Sequence, residues 1–192
     1  MTAAPETDLV GRAARRDPDA TAALLAQVRP GLIRYCRARL GRIGGAYATA
    51  DDVAQEVCLA VLRALPRYQD QGRPFSAFVY GIAARKVADA QRAAIREAAV
   101  TPTAVLPEEV DGGPGPEQHA VASDLARRLS ALLARLPDAQ REIILLRVAV
   151  GLTADEVGDI VGMSAAAVRM AQSRALARLR TLAAGALGEV AA

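Results

Sequence analysis

Aromatic and cationic side chains are interleaved over one short stretch of this sequence. Four of the six aromatic residues lie between positions 68 and 80, and the surrounding charges are mostly positive. The set comprises Tyr68, Phe75, Phe78 and Tyr80 with Arg67, Arg73, Arg85, Lys86 and Arg92. Aromatic faces stack on unpaired bases, at about 1–3 kcal/mol per base, while cations hold the phosphate backbone. The stretch therefore predicts a surface for single-stranded nucleic acid. Helical spacing also fits a core role, which we prefer for Phe75 but not for Tyr68 in its polar loop.

A second basic stretch, near the C-terminus, has the pattern of a duplex DNA reader. Thr153 and Glu156 have capping-box spacing, and Gly162 precedes Ser164, a good N-cap for a following helix. That helix carries several arginines and has no acid between Ala165 and Leu187. A helix-turn-helix of this kind places its second helix in the major groove. A solvated basic face on an ordinary bundle helix is the alternative, and the turn with its two caps favours DNA.

Residue types that carry catalysis or hold metals are scarce. The sequence has one histidine, His119, and two cysteines, Cys36 and Cys58, which form no Cys-x-x-Cys pair. It has no Gly-x-x-x-x-Gly-Lys phosphate loop. We therefore expect no catalytic residue, no metal site, no cofactor and no small-molecule substrate. The cysteines are interpreted as small buried side chains. The absence of a signal segment and of any stretch of about 20 apolar residues predicts a cytoplasmic protein.

The elements that must position these residues are predicted to be helices. Apolar residues recur at helical spacing from Asp8 to about Arg96, with a kink or break expected at Pro30. Separate helices are predicted over 49–65 and 75–96. Helical spacing resumes beyond the middle of the chain, and no stretch alternates as a strand does. The fold class is predicted to be all-α.

The middle of the chain separates two small helical domains. Residues 98–118 contain four prolines, three glycines and four acids without one base. This composition is typical of a flexible linker. We predict a first domain over residues 8–97, the acidic linker over 98–118, and a helix-turn-helix domain over 119–187.

The C-terminal stretch resembles region 4 of the extracytoplasmic-function sigma factors. "LARLPDAQREIILLRVAVGLTADEVGDIVGMSAAAVRMAQSRALARLR" carries that family's Leu-Pro…Arg-Glu opening at Leu136, Pro137, Arg141 and Glu142. The family's usual lysine and histidine are replaced by Arg169 and Ser173. The resemblance implies recognition of the promoter −35 element. The implied contact residues are Ser164, Ala165, Ala166, Arg169, Ser173, Arg174 and Arg178.

The N-terminal stretch resembles region 2 of the same family. "RPFSAFVYGIAARKVADAQR" is similar to regions 2.3 and 2.4, which open the −10 element and capture its non-template strand. The implied −10 contacts are Tyr68, Gln69, Arg73, Phe78, Tyr80, Arg85, Lys86 and Arg92. "TADDVAQEVCLAVLRAL" is similar to region 2.2, which docks on the β′ clamp helices of RNA polymerase. The implied docking residues are Asp51, Asp52, Gln55 and Glu56.

Both resemblances occur in the family's order, and the D-type actinobacterial subgroup is the most similar. They imply a sigma factor that binds core RNA polymerase, through the β′ clamp helices and the β flap, and directs promoter-specific initiation. They also imply promoter DNA and an anti-sigma factor as partners. The acidic linker either threads the active-site channel of polymerase or acts as a plain tether.

Two other classes of protein remain to be weighed against this one. The helix-turn-helix alone also resembles the output domain of LuxR-type regulators, which would make the chain a dimeric DNA-binding regulator. That class requires a sensor or receiver domain, and receivers need parallel strands that the sequence lacks. An enzyme is the third class, and the scarcity of catalytic residue types argues against it.

Overall fold

The structure is a computed structural model that describes residues 3–40, 48–70, 72–100, 125 and 128–190; none of these residues is in a strand. The first half contains α1 (Ala3–Ala14), α2 (Pro18–Leu40), α3 (Ala48–Ala64), a 3-10 turn (Leu65–Arg67) and α4 (Phe75–Val100). In the second half, residues 128–134 are helical. They are followed by α5 (Asp138–Ile144), a π-helical segment (Leu145–Val150), α6 (Ala154–Val161) and α7 (Ala165–Val190). The predicted all-α fold is confirmed.

The boundary between α1 and α2 was missed by the periodicity. Arg16 adopts a positive φ of 67°, and the Asp17 carboxylate accepts hydrogen bonds from the Asp19 and Ala20 amides, both at 3.0 Å. Asp17 therefore caps α2, and Pro18 occupies its first turn, where its missing N–H costs nothing. The Asp-Pro pair was the sequence signal for this break.

Of the kink or break expected at Pro30, the break is wrong, because α2 continues through Pro30 from Pro18 to Leu40. The helix remains intact because it is packed along its length. Residues of its buried stripe, including Leu24, Leu32 and Tyr35, are at most 1% exposed. Opposite them lie Val57 and Val61 of α3 and Val79 and Val87 of α4, all fully buried. Burial of this kind offsets the roughly 3 kcal/mol that an interior proline costs a helix.

The second half is built around α7. Val157 of α6 and Val168 of α7 are fully buried and join the two helices of the helix-turn-helix. A smaller cluster packs behind them and contains Leu133, Leu136, Ile144, Leu145 and Ala175. The turn predicted at Gly162, Met163 and Ser164 lies between α6 and α7. The π-helical segment, which was expected to be an ordinary helix, ends as predicted at Gly151, whose φ of 93° suits glycine.

The two halves pack directly against each other. Helix α2 lies against the π-helical segment, and α4 lies against α6. One buried cluster runs from Val10 in α1 to Ala171 in α7. The predicted linker, residues 98–118, falls almost entirely outside the described residues, so its boundaries stay a prediction. Among the described residues, no helix is both long enough and apolar enough to cross a membrane.

Candidate nucleic-acid interface

An open pocket of about 310 Å³ lies between the 3-10 turn and the start of α4. It is lined by Arg67, Tyr68, Gln69, Arg73, Pro74, Ala77 and Phe78. The ring centroid of Tyr68 is 5.0 Å from that of Phe78 and 5.4 Å from that of Phe75, the latter pair edge to face. Phe75 is 5% exposed, so it supports the pocket from the core. The structure thus brings together the four expected residues Tyr68, Gln69, Arg73 and Phe78.

The pocket is shaped by a tight turn in the preceding loop. The Asp70 carboxylate accepts a 2.9 Å hydrogen bond from the Gly72 amide, and Gly72 has a φ of 75°. An aspartate that binds the backbone two residues onward makes such a turn, and glycine accommodates the positive φ. Arg73 then lies exposed at the rim. The pocket combines aromatic faces with two cations, the combination that binds an unstacked base and its phosphate.

Helix α4 carries the remaining −10 candidates on different faces. Arg85 and Arg92 are exposed, and Arg92 forms an ion pair with Asp89 one turn earlier. Lys86 donates a 3.0 Å hydrogen bond to the Glu56 carboxylate of α3. Tyr80 differs from the others, because it is 4% exposed and stacks edge to face on Tyr35, with ring centroids 5.5 Å apart. Tyr80 is therefore a core residue in this conformation and cannot contact DNA from it.

Helix α7 presents the −35 candidates as one exposed face. Ala166, Arg169, Ser173, Arg174 and Arg178 are all exposed, while Ala165 is half-buried against the core. Small residues at the N-terminal end let a helix approach base edges closely, and arginine binds guanine edges or phosphates. The Arg147 side chain donates a 3.0 Å hydrogen bond to Gln172 on the inner side of the helix. Arg147 thereby links the π-helical segment to α7.

Caps define the N-termini of α6 and α7. Thr153 and Glu156 form the predicted capping box: the Glu156 amide donates to the Thr153 hydroxyl at 3.2 Å, and the Thr153 amide donates to Glu156 at 2.7 Å. Ser164 accepts from the Ala167 amide at 3.2 Å and so caps α7 as predicted. A Cβ atom at Gly158 would lie 2.5 Å from the Met163 carbonyl oxygen. Glycine at 158 is therefore what lets the turn close.

A polar surface on α3 faces away from the core. Asp52, Gln55 and Glu56 are exposed and share one helical face, as predicted. Asp51 is half-buried and held by Arg37, with Nη2 to Oδ2 at 2.6 Å. The structure therefore brings three of the four predicted docking residues together and places Asp51 in an ion pair on α2.

Two exposed apolar residues were missed by the sequence reading. Leu59 is 43% exposed and follows Gln55 by one helical turn, so it extends the polar surface of α3. Met170 is 61% exposed on α7, between Arg169 and Ser173. Helical periodicity could have identified both, because each residue lies outside the stripe of its helix that faces the protein core.

The cysteines lie within the helical core rather than in a reactive site. Cys36 is fully buried, and burial raises the pKa of its thiol to about 12. Burial also raises the pKa of the Cys58 thiol. Raised values keep both thiols protonated and unreactive near neutral pH. Among the described residues no group of three or more His, Cys, Asp or Glu side chains could hold a metal ion.

Comparisons with known proteins agree with this geometry. Residues 24–97 match the model of Sigma-70 region 2, and residues 132–181 match that of Sigma-70, region 4. The chain is 56% identical to the ECF RNA polymerase sigma factor ShbA of Streptomyces griseus, over 91% of this chain and 93% of that protein. It is 53% identical to the ECF RNA polymerase sigma factor SigD of Mycobacterium tuberculosis, over 90% and 81% of the respective chains.

The backbone also matches a solved sigma factor structure. The neighbour is CnrH in complex with the cytosolic domain of CnrY, with a TM-score of 0.67, 25% identity, and coverage of 92% of this chain and 96% of that one. The match covers both halves of the molecule. This chain therefore belongs to the extracytoplasmic-function sigma factors of the sigma-70 family, which bind core RNA polymerase and direct promoter-specific initiation of transcription.

Proposed function

We propose that this sigma factor reads its promoter through two separate surfaces and docks on polymerase through a third. The −10 surface is the aromatic pocket with the exposed cations of α4. The −35 surface is the exposed face of α7. The docking surface is the polar face of α3. The observation that carries the proposal is the separation of these surfaces onto different helices, each with side chains suited to its own ligand.

The −10 surface is suited to a base that has left the duplex. Tyr68 and Phe78 offer ring faces, while Gln69 offers both a donor and an acceptor for a base edge. Arg73 at the rim and Arg85 on α4 neutralise the backbone of the displaced strand. Unstacking a base costs a few kcal/mol, and the pocket offsets that cost only after the strand has separated.

Strand opening provides a direct test of this surface. Tyr68→Ala and Arg85→Ala are expected to leave closed promoter complexes intact and to reduce permanganate reactivity of thymines near −10. Tyr68→Phe retains the ring and is the matched control. We choose Arg85 rather than Lys86, because Lys86 also pairs with Glu56 on α3. Wild-type opening by both alanine variants would contradict the assignment.

The −35 surface combines charged and apolar readout. Arg169 and Arg174 reach guanine edges or phosphates, and Met170 between them offers a methyl-bearing thioether to a thymine methyl group. A base contact by an arginine is worth about 1–3 kcal/mol and relaxes the preference at one position when it is lost. Loss of a phosphate contact lowers affinity evenly across sequences. Promoter variants assayed with Arg169→Ala and Arg174→Ala distinguish the two roles.

The docking surface suits a basic coiled coil such as the β′ clamp helices. Asp52 and Glu56 supply charge, and Leu59 supplies an apolar contact within the same face. Region 4 binds the β flap, and the acidic linker either threads the polymerase channel or acts as a plain tether. The chain contributes recognition and no catalysis, and it acts in the cytoplasm together with the polymerase.

We also propose control by an anti-sigma factor. The solved structure of CnrH is a complex with the cytosolic domain of CnrY, and the backbone of this chain matches that of CnrH with a TM-score of 0.67. The partner occupies either the α3 face or the exposed apolar edge of the second half. Addition of core polymerase must then displace it in a pull-down. A native complex that leaves core binding undiminished would exclude an occluding partner.

Run-off transcription with purified core polymerase tests the function as a whole. The chain is expected to bind duplex DNA weakly alone and to direct initiation on a promoter library only with core enzyme. Tight sequence-specific binding without core polymerase would support a dimeric regulator instead. Failure to start transcription from any promoter in the library would contradict the proposal.

A further inference from the structure

An open groove of about 640 Å³ lies between the first turns of α2 and the last turn of α3. It shares no lining residue with the aromatic pocket, although Pro66 of the groove and Arg67 of the pocket are consecutive in the 3-10 turn. Its apolar lining includes Pro18, Ala22, Leu25, Leu62 and Pro66. Leu25 and Leu62 are half-buried, so part of this apolar surface remains open to solvent. The groove belongs to none of the three surfaces described above.

Arg16 stands at the rim of this groove in a strained backbone conformation. The Asp17 amide donates to the Arg12 carbonyl oxygen at 3.2 Å. The Arg16 amide donates to the Ala13 carbonyl oxygen at 3.0 Å. These hydrogen bonds form the Schellman motif that ends α1, in which glycine usually occupies the position of Arg16. Arg16 adopts the required positive φ, 67°, at a cost that glycine avoids. Strain of this kind indicates a function for the side chain itself.

Two cations give the groove a positive rim. Arg16 and Arg63 both line it and are exposed, and no acid is among the described residues that line it. Within the described part of the chain, neither arginine has an ion-pair partner, whereas the neighbouring Arg12 is paired with Asp17 at 2.8 Å. Both guanidinium groups are therefore available to the anionic groups of a ligand.

The groove continues the polar face of α3 that we assign to polymerase docking. Leu62 and Arg63 follow Leu59 by three and four residues, so they lie one turn further along the same side of the helix. Arg63 lies eleven residues after Asp52, or about 16 Å further along the helix axis. The combined surface is thus acidic at one end, apolar at Leu59, and basic at the other end. A partner must present the complementary order of charges.

A polypeptide suits the groove better than a nucleic acid does. Unpaired bases bind by stacking on aromatic rings, and no aromatic residue is among the described residues that line the groove. Proline and leucine side chains instead pack on an aliphatic side chain, and exposed arginines pair with carboxylates. Because polymerase covers the adjoining face of α3 in the proposed complex, polymerase is the protein that reaches the groove.

We propose that this groove is a second docking site for core RNA polymerase, and that it receives a polymerase segment in which carboxylates flank an aliphatic side chain. The inference rests on the proposed docking function of the α3 face. Arg16 and Arg63 pair with the carboxylates, while Leu25 and Leu62 contact the aliphatic side chain. Opposite charges at the two ends of the surface admit one direction of the partner along α3, so these arginines help to specify how polymerase docks.

Titration of the full-length protein with core polymerase, without DNA, tests the charge of the occupant. Arg16→Gly and Arg63→Ala should each weaken binding about threefold, the value of a solvent-accessible ion pair. Ala22→Glu should weaken it about tenfold, because it places an acid against an acidic segment. Ala22→Lys is the matched control, since it has similar bulk and helix propensity but the opposite charge, and it should not weaken binding. Equal effects of Glu and Lys at position 22 would overturn the proposal.

Stability separates the function of Arg16 from its structural role. Arg16→Gly relieves the strained φ, so its urea midpoint should rise while its affinity for core polymerase falls. Arg15→Ala removes a neighbouring exposed cation that does not line the groove, and it should leave core affinity unchanged. A lower urea midpoint for Arg16→Gly, or an equal loss of core affinity in Arg15→Ala, would overturn the specific role of Arg16.

Two further comparisons identify other occupants and separate this proposal from the one on which it rests. If Arg16→Gly and Arg63→Ala bind core polymerase as the wild type does but open promoters less well, the groove holds DNA and the proposal is wrong. If Leu59→Ala weakens core binding and the groove variants do not, the second site fails while the α3 docking surface stands. If Leu59→Ala and the groove variants all leave core affinity unchanged, both proposals fail.

Discussion

Asp17 and Arg34 illustrate, at the scale of single residues, what the sequence could and could not predict. Asp17 caps α2 and pairs with Arg12. The hydrogen bond from the Ala20 amide is the main cause, and that from Arg12 the next, of a pKa below the usual range for the Asp17 carboxyl. Its partners are two to five residues away, so the Asp-Pro signature was readable. Arg34 instead bonds carbonyls at positions 149 and 150. No local pattern encodes such a partner.

The candidate site residues divide along the same line. The pocket residues Tyr68, Gln69, Arg73 and Phe78 come together because a short loop joins the elements that carry them, and their resemblance to family motifs was sufficient to find them. The burial of Tyr80 was not predictable, because it depends on a contact with Tyr35, a residue of another helix 45 positions earlier in the sequence. Met170 was missed because the prediction for this helix rested on its arginines and not on its exposed apolar residues.

Met170 leads to a prediction about a single methyl group. Replacing each thymine of the −35 element in turn by uracil removes only the C5 methyl. At one position this change should weaken binding by the wild-type holoenzyme about fourfold, the value of one buried methyl-sized group. Met170→Ala should show the same loss with thymine and no further loss with uracil. Val148→Ala, an exposed apolar residue outside α7, is the control. Equal sensitivity of both proteins to uracil would contradict the contact.

At the scale of elements, the helices were largely predictable and their exceptions have physical causes. Helices α3, α4, α6 and α7 follow from apolar spacing and caps. Helix α2 continues through Pro30 because its tertiary packing outweighs the free energy that an interior proline costs a helix. Apolar periodicity alone does not reveal the strength of that packing. The π-helical segment was equally unreadable, because its hydrogen-bond register reflects how it packs on α2 and α6.

The turn of the helix-turn-helix gives a prediction with a matched substitution. Gly158→Ala places a Cβ 2.5 Å from the Met163 carbonyl oxygen, so the α6–α7 angle must change. We expect a loss of about 1–3 kcal/mol in stability, the usual cost of overpacking, and loss of −35 binding. Gly81→Ala in α4 meets nothing within 4 Å and should stabilise by about 0.5–1 kcal/mol. Urea unfolding and promoter footprinting compare the two, and equal stabilities would contradict the role of Gly158.

The apolar residue on α3 gives the second prediction at this scale. Leu59→Ala should weaken binding to core polymerase by about tenfold, because burying an exposed leucine side chain against a partner is worth about 1.5–3 kcal/mol. Its stability should change little, since the side chain is 43% exposed. Ile95→Ala, at a position 70% exposed on α4, is the control. Fluorescence anisotropy with core enzyme measures both, and equal affinities would remove Leu59 from the docking surface.

At the scale of the whole molecule, the two-domain prediction describes sequence organisation better than it describes the packed core. Composition separates two helical blocks by an acidic stretch, yet one buried cluster extends from Val10 to Ala171. Contacts between the blocks were beyond the sequence because they join residues more than 100 positions apart. We therefore expect the free chain, with its shared cluster, to unfold as a single cooperative body.

Calorimetry should reveal this cooperativity and its dependence on the contacts between the halves. The free wild-type protein is expected to unfold in one transition whose calorimetric and van't Hoff enthalpies agree, the signature of a two-state unit. Arg34→Ala combined with Tyr35→Phe removes the hydrogen bonds to the Ala149 carbonyl and to Glu142 that join the halves. This variant should show two transitions, because each half then unfolds on its own. Arg12→Ala should retain one transition, since its ion pair lies within the first half. Two transitions in the wild type would mean that the halves are independent before any partner binds.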